Sequence, residues 1–407
     1  MKKLTLTLET VTPLFLGGAE ARGTKQSPAM PEIRPPSFRG ALRYWLRAAL
    51  GGVYGDAYDG FERVQLIESQ VFGNAGNEST SAASSVNIRI TNEKLKRPER
   101  YEKIKDDRGK ALRPPAGRDY LYWSMDASGS DMRNNYQPPK YFFPSGSEFD
   151  LMLTARSMQT DTELVFSYAS AALWLLIHLG GIGSRSRRTG GSLSAKNTSS
   201  DFGGLDFKLS RQKGNLVGQL SENLQKIRAL FDANQSVSFS KYSAFDILHP
   251  QVCDIWLLGA WNNADVAVQQ IGQRFQEFRD HKEPDHRNVA NWLQGQTIPG
   301  VERAAFGLPI PYRYSNDDLS GTIQGRLGKN GIERRSSPLW LKVTKIDANV
   351  FIGIATIFKS KFLPDGEKLY AKRSVDERLG VSPPSNYHII TDWIQEKFPN
   401  SREVGYE

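Results

Sequence analysis

Three arginines recur at helical spacing near the start of the chain. Arg39, Arg43 and Arg47 lie at i, i+4 and i+8 in the segment FRGALRYWLRAAL, which places them on one helical face. No acidic residue between Pro36 and Tyr54 offsets their charge. The planar guanidinium fits phosphate oxygens, so this ladder could follow a phosphate backbone. The alternative is a solvated face, or ion pairs with acids distant in the sequence.

A second basic segment is rich in glycine and spans 180–194, GGIGSRSRRTGGSLS, with no acid before Asp201. Glycines allow close backbone approach and positive φ, so their N–H groups can form an anion-binding nest. The segment follows a predicted helix, whose C-terminal dipole opposes an anion, so arginine charge must supply the attraction. The alternative is a flexible basic linker between domains. Its candidate contact residues are Gly181, Gly183, Ser184, Arg185, Arg187 and Arg188.

Arg334 and Arg335 form a third candidate in the second half of the chain. They precede Ser336-Ser337-Pro338 and the apolar run PLWLKV. The alternative is ordinary turn chemistry with surface arginines.

The sequence offers no convincing catalytic constellation. Cys253 is the only cysteine, which excludes an internal disulfide and a zinc site with several cysteines. GAEARGTK at 18–25 lacks the GK[ST] order of a P-loop. His178 lies in an apolar stretch and is interpreted as a core residue. His281 and His286 flank Pro284, which favours a solvated polar turn over a metal site. We expect no metal and no cofactor.

Composition bounds the class of protein. The chain has 407 residues, of which 39% are hydrophobic, so it can bury a sizeable core and is not globally disordered. Its net charge of +9 points to a polyanionic partner. The N-terminus alternates apolar and polar residues and is not a signal peptide. The apolar run at 164–183 contains Ser, His and Gly, which favours a buried helix over a membrane span. We expect a cytoplasmic protein that contacts no membrane.

Hydrophobic periodicity predicts an α+β protein with two domains, 1–200 and 201–407. Residues 93–118 carry ten Lys or Arg against five acids and are predicted to form an exposed, mobile basic insertion. The stretch 315–331 is predicted to be an exposed loop. Predicted strands cover 4–11, 86–90, 149–155, 252–258, 338–346 and 350–358. Predicted helices cover 38–50, 161–179, 216–231, 265–278 and 389–397.

These segments, taken in order, resemble the RAMP superfamily. The resemblance rests on PLFLGG at 13–18, IRPPSFRGALRYWLR at 33–47, GGIGSRSRRTGGSL at 180–193, AFGLPIPY at 305–312 and RRSSPLWLKV at 334–343. More narrowly, the chain is similar to the first-numbered RAMP subunit of the Cmr complex, the type III-B CRISPR effector. One departure is Thr189-Gly190-Gly191, where the family usually has Gly-Phe-Gly.

The resemblance implies two ferredoxin-like, RRM-like βαββαβ modules, with the glycine-rich loop before the last strand of the first. It implies a non-nucleolytic subunit that binds the 3′ part of the guide RNA (crRNA), aids target RNA capture and lies beside other Cmr subunits. The implied RNA contacts are Gly17, Gly18, Arg39, Arg43, Arg47, Arg185, Arg187 and Arg188, with Arg334 and Arg335 as weaker candidates.

The leading hypothesis is therefore a non-catalytic RNA-binding subunit in antiviral defence. Replacing Arg185, Arg187 and Arg188 together should then lower RNA affinity while the fold survives. Tyr44 and Tyr136 are candidates for stacking on bases if they are exposed. The alternative is a metal-independent RAMP endoribonuclease that processes guide precursors, which would need a general base such as His. A peripheral membrane protein is a third, disfavoured class.

Overall fold

The computed structural model describes residues 2–18, 22–74, 83–129, 136–155, 161–198, 204–231, 237–239, 241–280, 282–314, 319–325, 334–372 and 377–406. The helices are α1 (Pro35–Tyr54), α2 (Tyr58–Phe72), α3 (Gly117–Leu121), α4 (Thr162–His178), α5 (Leu216–Leu230), α6 (Ala264–Arg279), α7 (Asp285–Leu293) and α8 (His388–Lys397). The strands are β1 (Lys2–Thr10), β2 (Val86–Lys94), β3 (Glu99–Arg100), β4 (Tyr141–Phe142), β5 (Glu148–Ala155), β6 (Leu193–Thr198), β7 (Cys253–Trp261), β8 (Ile310–Tyr312), β9 (Gly321–Gln324), β10 (Leu339–Asp347), β11 (Val350–Phe358), β12 (Leu369–Lys372), β13 (Glu377–Val381) and β14 (Arg402–Glu403).

The first sheet has the strand order β2-β5-β1-β6 and is antiparallel throughout. Leu4, Leu6 and Leu8 of β1 are fully buried while the residues between them are half-buried, as the alternation in the sequence predicts. Helices α1 and α4 pack against each other and against this sheet. Helix α5 packs against α1 and α4. The domain boundary at residue 200 stays a prediction.

The second sheet has the order β10-β11-β7-β14 and packs against α6. Its strand β10 is buried on both faces. Leu341 and Val343 enter the core of the second half, whereas Trp340 and Ile346 enter the core formed around the first sheet. This double burial explains why β10 reads as a nearly continuous apolar run. A third sheet has the order β13-β12-β9-β8 and shares no strand with the other two.

Helix α4 contains the apolar run for which the sequence favours a buried helix over a membrane span. All residues from Tyr168 to His178 are buried beneath the first sheet, and this confirms the prediction of a core helix. His178 packs on Trp174 with ring centroids 4.4 Å apart. None of the helices in the described ranges has the length and apolarity that a membrane span requires.

The predicted mobile insertion at 93–118 is part of the fold. Its charged side chains are largely exposed, as expected, but Tyr101 is buried and its hydroxyl donates to Asp119 at 2.7 Å. Helix α3 then packs against α6, where Gly117 meets Gly272 so closely that a Cβ on either would lie 2.0 Å from a backbone oxygen. The segment therefore links the two halves of the molecule.

Two loop predictions are wrong in part. The stretch 315–331 contains β9, whose Ile323 is fully buried, because pairing with β8 and β12 covers a segment with little apolar signal of its own. Asp285 starts α7 instead of lying in a solvated turn, and its carboxylate accepts the backbone N–H of Glu302 at 3.0 Å. His281 lies outside the described residues.

A lysine is buried where the two halves meet. Lys342 of β10 is 1% exposed, and its ammonium donates to the carbonyl oxygen of Leu193 at 3.1 Å. Burial lowers the pKa of Lys342 to about 7. Burial and the nearby Lys342 charge lower the pKa of His178 to about 3. Burial therefore shifts both groups toward their neutral forms at the interface.

The buried lysine predicts a pH-dependent stability. The unfolded chain binds a proton on Lys342 up to about pH 10.5, whereas the folded chain releases it near pH 7, so stability rises with pH between these values. Lys342→Met should flatten this rise and raise the free energy of unfolding at neutral pH. Urea unfolding of both proteins from about pH 7 to about pH 10 measures the difference. Lys208→Met, at an exposed position, is the control, and equal slopes for wild type and Lys342→Met would contradict the prediction.

Candidate nucleic-acid interface

Helix α1 begins with features that leave its positive end open. Pro35 and Pro36 occupy the first positions, where a missing N–H costs nothing, and the preceding Arg34 is extended. The first turn contains no acidic residue, and no side chain caps it. The partial positive charge of this twenty-residue helix is therefore available to an anion.

The glycine-rich segment folds back onto this helix end as an ordered loop. The N–H of Ser184 donates to the carbonyl oxygen of Phe15 at 2.8 Å, and that of Gly191 to Pro13 at 2.9 Å. Gly191 has a φ of +61°, and a Cβ there would lie 1.9 Å from the Ile182 oxygen. These constraints exclude the alternative of a flexible linker for this segment.

An open groove of about 370 Å³ lies between the loop and the start of α1, and we call it the loop groove. Its position resolves the difficulty raised by the α4 dipole, because the loop faces the favourable N-terminal end of α1. Gly40 contributes no side chain, and a Cβ there would meet nothing within 4 Å. The groove is lined by Pro36, Ser37 and Gly40 from α1 and by Gly181, Gly183 and Ser186 from the loop.

A second groove, of about 540 Å³, combines basic and aromatic residues, and we call it the aromatic groove. Tyr44 lines both grooves. Among the described residues that line the aromatic groove, Asp246 is the only acid, and its carboxylate accepts hydrogen bonds from Tyr44 at 2.8 Å and Ser360 at 2.8 Å. Its other charged and aromatic lining residues are Arg47, Arg335, Lys361, Phe61, Phe245 and Phe362.

An acid on a neighbouring helix pairs with two of the three arginines on the exposed face of α1. Glu68 of α2 binds Arg43 with an Nε–Oε1 distance of 2.7 Å and lies 3.7 Å from Arg47. Arg43 also donates to the Gly73 carbonyl oxygen. Arg47 keeps 48% of its side chain exposed, and Arg39 has no ion pair among the described residues. The alternative of ion pairs with distant acids thus holds for Arg43 and in part for Arg47.

Arg187 joins the loop to the second half of the chain. Its guanidinium binds Asp246 at 3.1 Å and donates to the Ser337 carbonyl oxygen. It also lies over the Trp340 ring, 4.7 Å from the centroid, and 5.6 Å from that of Tyr44. All these partners are protein groups, so Arg187 shapes the wall shared by the two grooves.

Arg188 is a partly buried anchor. It donates to the carbonyl oxygens of Leu339 at 2.9 Å and Phe306 at 3.4 Å, and lies 5.0 Å from the Phe275 ring centroid. Burial, then the nearby Arg279, lowers the pKa of Arg188 to about 9. The expectation that all three loop arginines can be replaced without loss of the fold is therefore not supported for Arg188.

The remaining predicted residues lie around this surface. Arg185 donates to the Ser124 hydroxyl at 2.6 Å. Arg335 donates to the Phe362 carbonyl oxygen at 3.0 Å, so it both orders and lines the aromatic groove, while Arg334 is exposed. The predicted Gly17 pairs with Pro31, and Gly18 lies next to Glu32, where a Cβ would approach the carboxylate at 3.4 Å.

The aromatic stacking candidates are less accessible than expected. Tyr44 is half-buried. Its hydroxyl donates a hydrogen bond to Asp246 and accepts one from the Trp340 indole at 3.2 Å. Burial, then the Asp246 charge, raises the pKa of Tyr44. Tyr136 is half-buried, with the Lys25 ammonium 5.5 Å from its ring centroid. Neither residue is the exposed ring that the sequence argument requires.

Sequence reasoning missed Asp246, Glu68 and Phe61. Asp246 lies in an irregular segment between α5 and β7, and nothing in the local sequence distinguishes it from a surface acid. Helix α2 was not predicted, so Glu68 and Phe61 had no assigned position. Within the described ranges, no group of three His, Cys, Asp or Glu side chains is arranged to hold a metal ion.

Comparisons with known proteins agree with this architecture. The family model of the RAMP superfamily matches residues 7–194. The Cmr subunit Cmr1-1 of the CRISPR system of Pyrococcus furiosus is 27% identical over 341 residues, which cover 82% of this chain and 83% of that protein. Subunit Cmr1-2 of the same organism is 33% identical over 197 residues, which cover 46% of this chain and 92% of that protein.

Two solved structures share the fold. The crystal structure of apo Cmr1 from Pyrococcus furiosus aligns with a TM-score of 0.61 at 22% identity, covering 100% of this chain and 99% of that one. A chain of the type III-B Cmr-beta complex bound to cognate target RNA and AMPPnP, in the presence of ssDNA, aligns with a TM-score of 0.50 at 15% identity, covering 97% and 98%.

The chain belongs to the RAMP superfamily. Within it, the chain is a Cmr1-type RAMP protein of type III-B CRISPR systems.

The anchoring role of Arg188 predicts a stability loss that the other arginines do not share. Arg188→Ala leaves buried carbonyl oxygens without a donor and should cost on the order of 2–4 kcal/mol of unfolding free energy. Arg39→Ala, which removes a guanidinium without an ion pair among the described residues, is the matched control and should change stability by less than about 0.5 kcal/mol. Denaturant unfolding followed by fluorescence measures both, and equal losses would contradict the assignment of Arg188 as an anchor.

Proposed function

We propose that this protein is a non-catalytic RNA-binding subunit of a type III-B CRISPR ribonucleoprotein in the cytoplasm. It contacts the 3′ part of the guide RNA, aids target RNA capture and assembles with the other Cmr RAMP subunits. The observation that carries this proposal is the loop groove, in which an uncapped helix N-terminus faces a glycine-rich loop. The adjoining aromatic groove supplies Arg47, Arg335 and Lys361.

The chemistry of these grooves suits a phosphate backbone of any sequence. A helix N-terminus and loop N–H groups bind anions through fixed dipoles, and arginines add charge. Such contacts give affinity without reading bases, as a subunit that accepts every guide requires. The names of the Cmr relatives and the RNA-bound state of one fold relative support the assignment to an RNA-containing assembly.

We also propose that the chain consists of two ferredoxin-like modules, within 1–200 and 201–407. The four main strands of each half, numbered along the chain, occur in the spatial order 2-3-1-4 in both large sheets. In each half, a helix follows the first strand and another follows the third. The repeated order supports this division.

Among the predicted residues, the proposed phosphate contacts divide into two groups. Those proposed to keep capacity for a ligand are Arg47, Gly181, Gly183 and Arg335, which line the grooves, and Gly17, Gly18, Arg39, Ser184, Arg185 and Arg334, which lie outside the groove linings. Arg43, Arg187 and Arg188 act mainly by holding the surface in shape, because protein acceptors already occupy their guanidinium groups.

The alternative of a metal-independent endoribonuclease has no supporting geometry. No histidine of the described residues lines either groove, and His178 and His249 are buried. Incubation of labelled guide precursor with the protein in EDTA tests this alternative. Cleavage at a defined site, lost when one histidine is changed, would overturn the non-catalytic assignment.

The proposed RNA-binding role predicts a change in the salt dependence of binding. Arg39→Ala with Arg47→Ala removes two cations, so the slope of log K against log salt should fall by about 1.4 for single-stranded RNA. Affinity at moderate salt should fall about tenfold or more. Fluorescence anisotropy with a short labelled RNA at several salt concentrations measures both. Lys208→Ala with Lys226→Ala, at an exposed and a half-buried position near α5, removes the same formal charge as a control, and equal effects would place binding elsewhere.

A further inference from the structure

Trp123 is the most exposed tryptophan of the described residues and lies outside both grooves. It follows α3 directly and has 66% of its surface open to solvent. Its neighbour Tyr122 is fully buried, with its hydroxyl 2.9 Å from that of Thr189. The backbone at Trp123 is therefore fixed to the glycine-rich loop while the indole ring projects toward solvent.

One cation lies beside this ring, and others lie near that cation. The Arg185 guanidinium lies 5.6 Å from the Trp123 ring centroid, and Lys140 donates to the Ser184 hydroxyl at 2.9 Å. Arg334 is close enough to Arg185 to contribute to lowering its pKa to about 10, after the larger effect of burial. Burial, followed by the charge of Arg22, lowers the pKa of Lys140. Arg185 is thus the cation beside the ring, while Lys140, Arg22 and Arg334 interact with groups around Arg185.

Neither Arg185 nor Lys140 forms an ion pair within the described part of the chain. Asp126, whose charge favours the charged form of Arg22, also binds Lys103 at 3.3 Å. The Nε of Arg185 is buried without a hydrogen-bond partner. Like charges held together without counter-charges raise the energy of the free protein, and an anionic ligand would relieve it.

The cluster is also preorganised. Arg22 donates to the Pro138 carbonyl oxygen at 2.7 Å and to the Asp126 carbonyl oxygen at 3.1 Å, which fixes the segment after α3. Arg185 is held by Ser124 and has a positive φ of 64°. The side chains therefore need little reordering to receive a ligand, and this saves binding entropy.

We propose that Trp123 is a stacking platform for an unpaired base of single-stranded RNA, with Arg185 and Lys140 contacting the phosphates next to that base. The inference rests on the proposed function and extends its RNA surface beyond the two grooves, along the outer side of the glycine-rich loop. An exposed aromatic ring beside uncompensated cations is the combination that single-stranded nucleic acid requires, because every base has a face that can stack. The charge complementarity favours this occupant over an apolar protein surface, which would leave the cations buried without partners.

Trp123→Ala should lower the affinity for single-stranded RNA between about fivefold and about a hundredfold, the range for loss of one stacked base. The salt slope should stay unchanged, because no charge is removed. Trp123→Tyr should restore most of the affinity. Polyphosphate, which offers charge without bases, should bind Trp123→Ala and wild type equally. Anisotropy with RNA and competition with polyphosphate measure these effects.

Leu164→Ala is the matched control. Leu164 is also exposed and apolar, but it lies at the other end of α4, roughly 20 Å from the loop by helix length. An RNA affinity equal to wild type in Trp123→Ala would overturn the stacking site and leave the proposed function standing. An equal loss of RNA and polyphosphate binding would also overturn stacking. If the wild-type chain bound no RNA, both the proposed function and this inference would fail.

Discussion

The docking of the glycine-rich loop onto β10 is the constraint on which the rest of this surface depends. The N–H of Thr189 donates to the Leu341 carbonyl oxygen at 2.8 Å, and the N–H of Leu341 donates to the Arg187 carbonyl oxygen at 3.2 Å. The loop thus adds backbone pairing to an edge strand of the second sheet while Ser184 and Gly191 tie it to the first half. This docking positions the residues that form the walls of both grooves. A loop held from two sides has already lost its conformational entropy, so a ligand does not have to order it.

The basic composition serves two physical purposes that a charge count cannot separate. Arg187 and Arg188 bind carbonyl oxygens, a carboxylate and aromatic rings, and they hold the two halves together. Guanidinium suits this role because it presents several donors in a plane and is more weakly hydrated than an ammonium. Arg39, Arg47 and Arg334 keep capacity for a ligand. The net positive charge thus contains a structural part and a part available to an anionic ligand.

The buried Lys342 shows the cost of joining the halves in this way. It lies on the same face of β10 as Trp340, which packs against the core around the first sheet. Its charge is close enough to His178 to lower the pKa of that residue. Its aliphatic stem fills the interface while its ammonium meets the Leu193 carbonyl oxygen of the facing strand. The backbone of β6 is thereby linked to β10, at the expense of a lysine that favours its neutral form.

The sequence by itself determined the elements whose hydrophobic period is strong and local. It predicted β1, α4, α6 and the hairpin of β10 and β11 to within a few residues, and the motif order indicated the RAMP family, which the comparisons confirm. It missed α2, which buries only a few of its residues, and it missed the short elements α3, α7 and the strands of the third sheet, because segments that bury few residues carry weak periodicity. Only the tertiary structure decided which arginines are anchors, since the partners Glu68, Asp246 and Leu339 lie far away in the chain. Charge and spacing are local properties, whereas the identity of a side chain's partner is set by packing between distant segments.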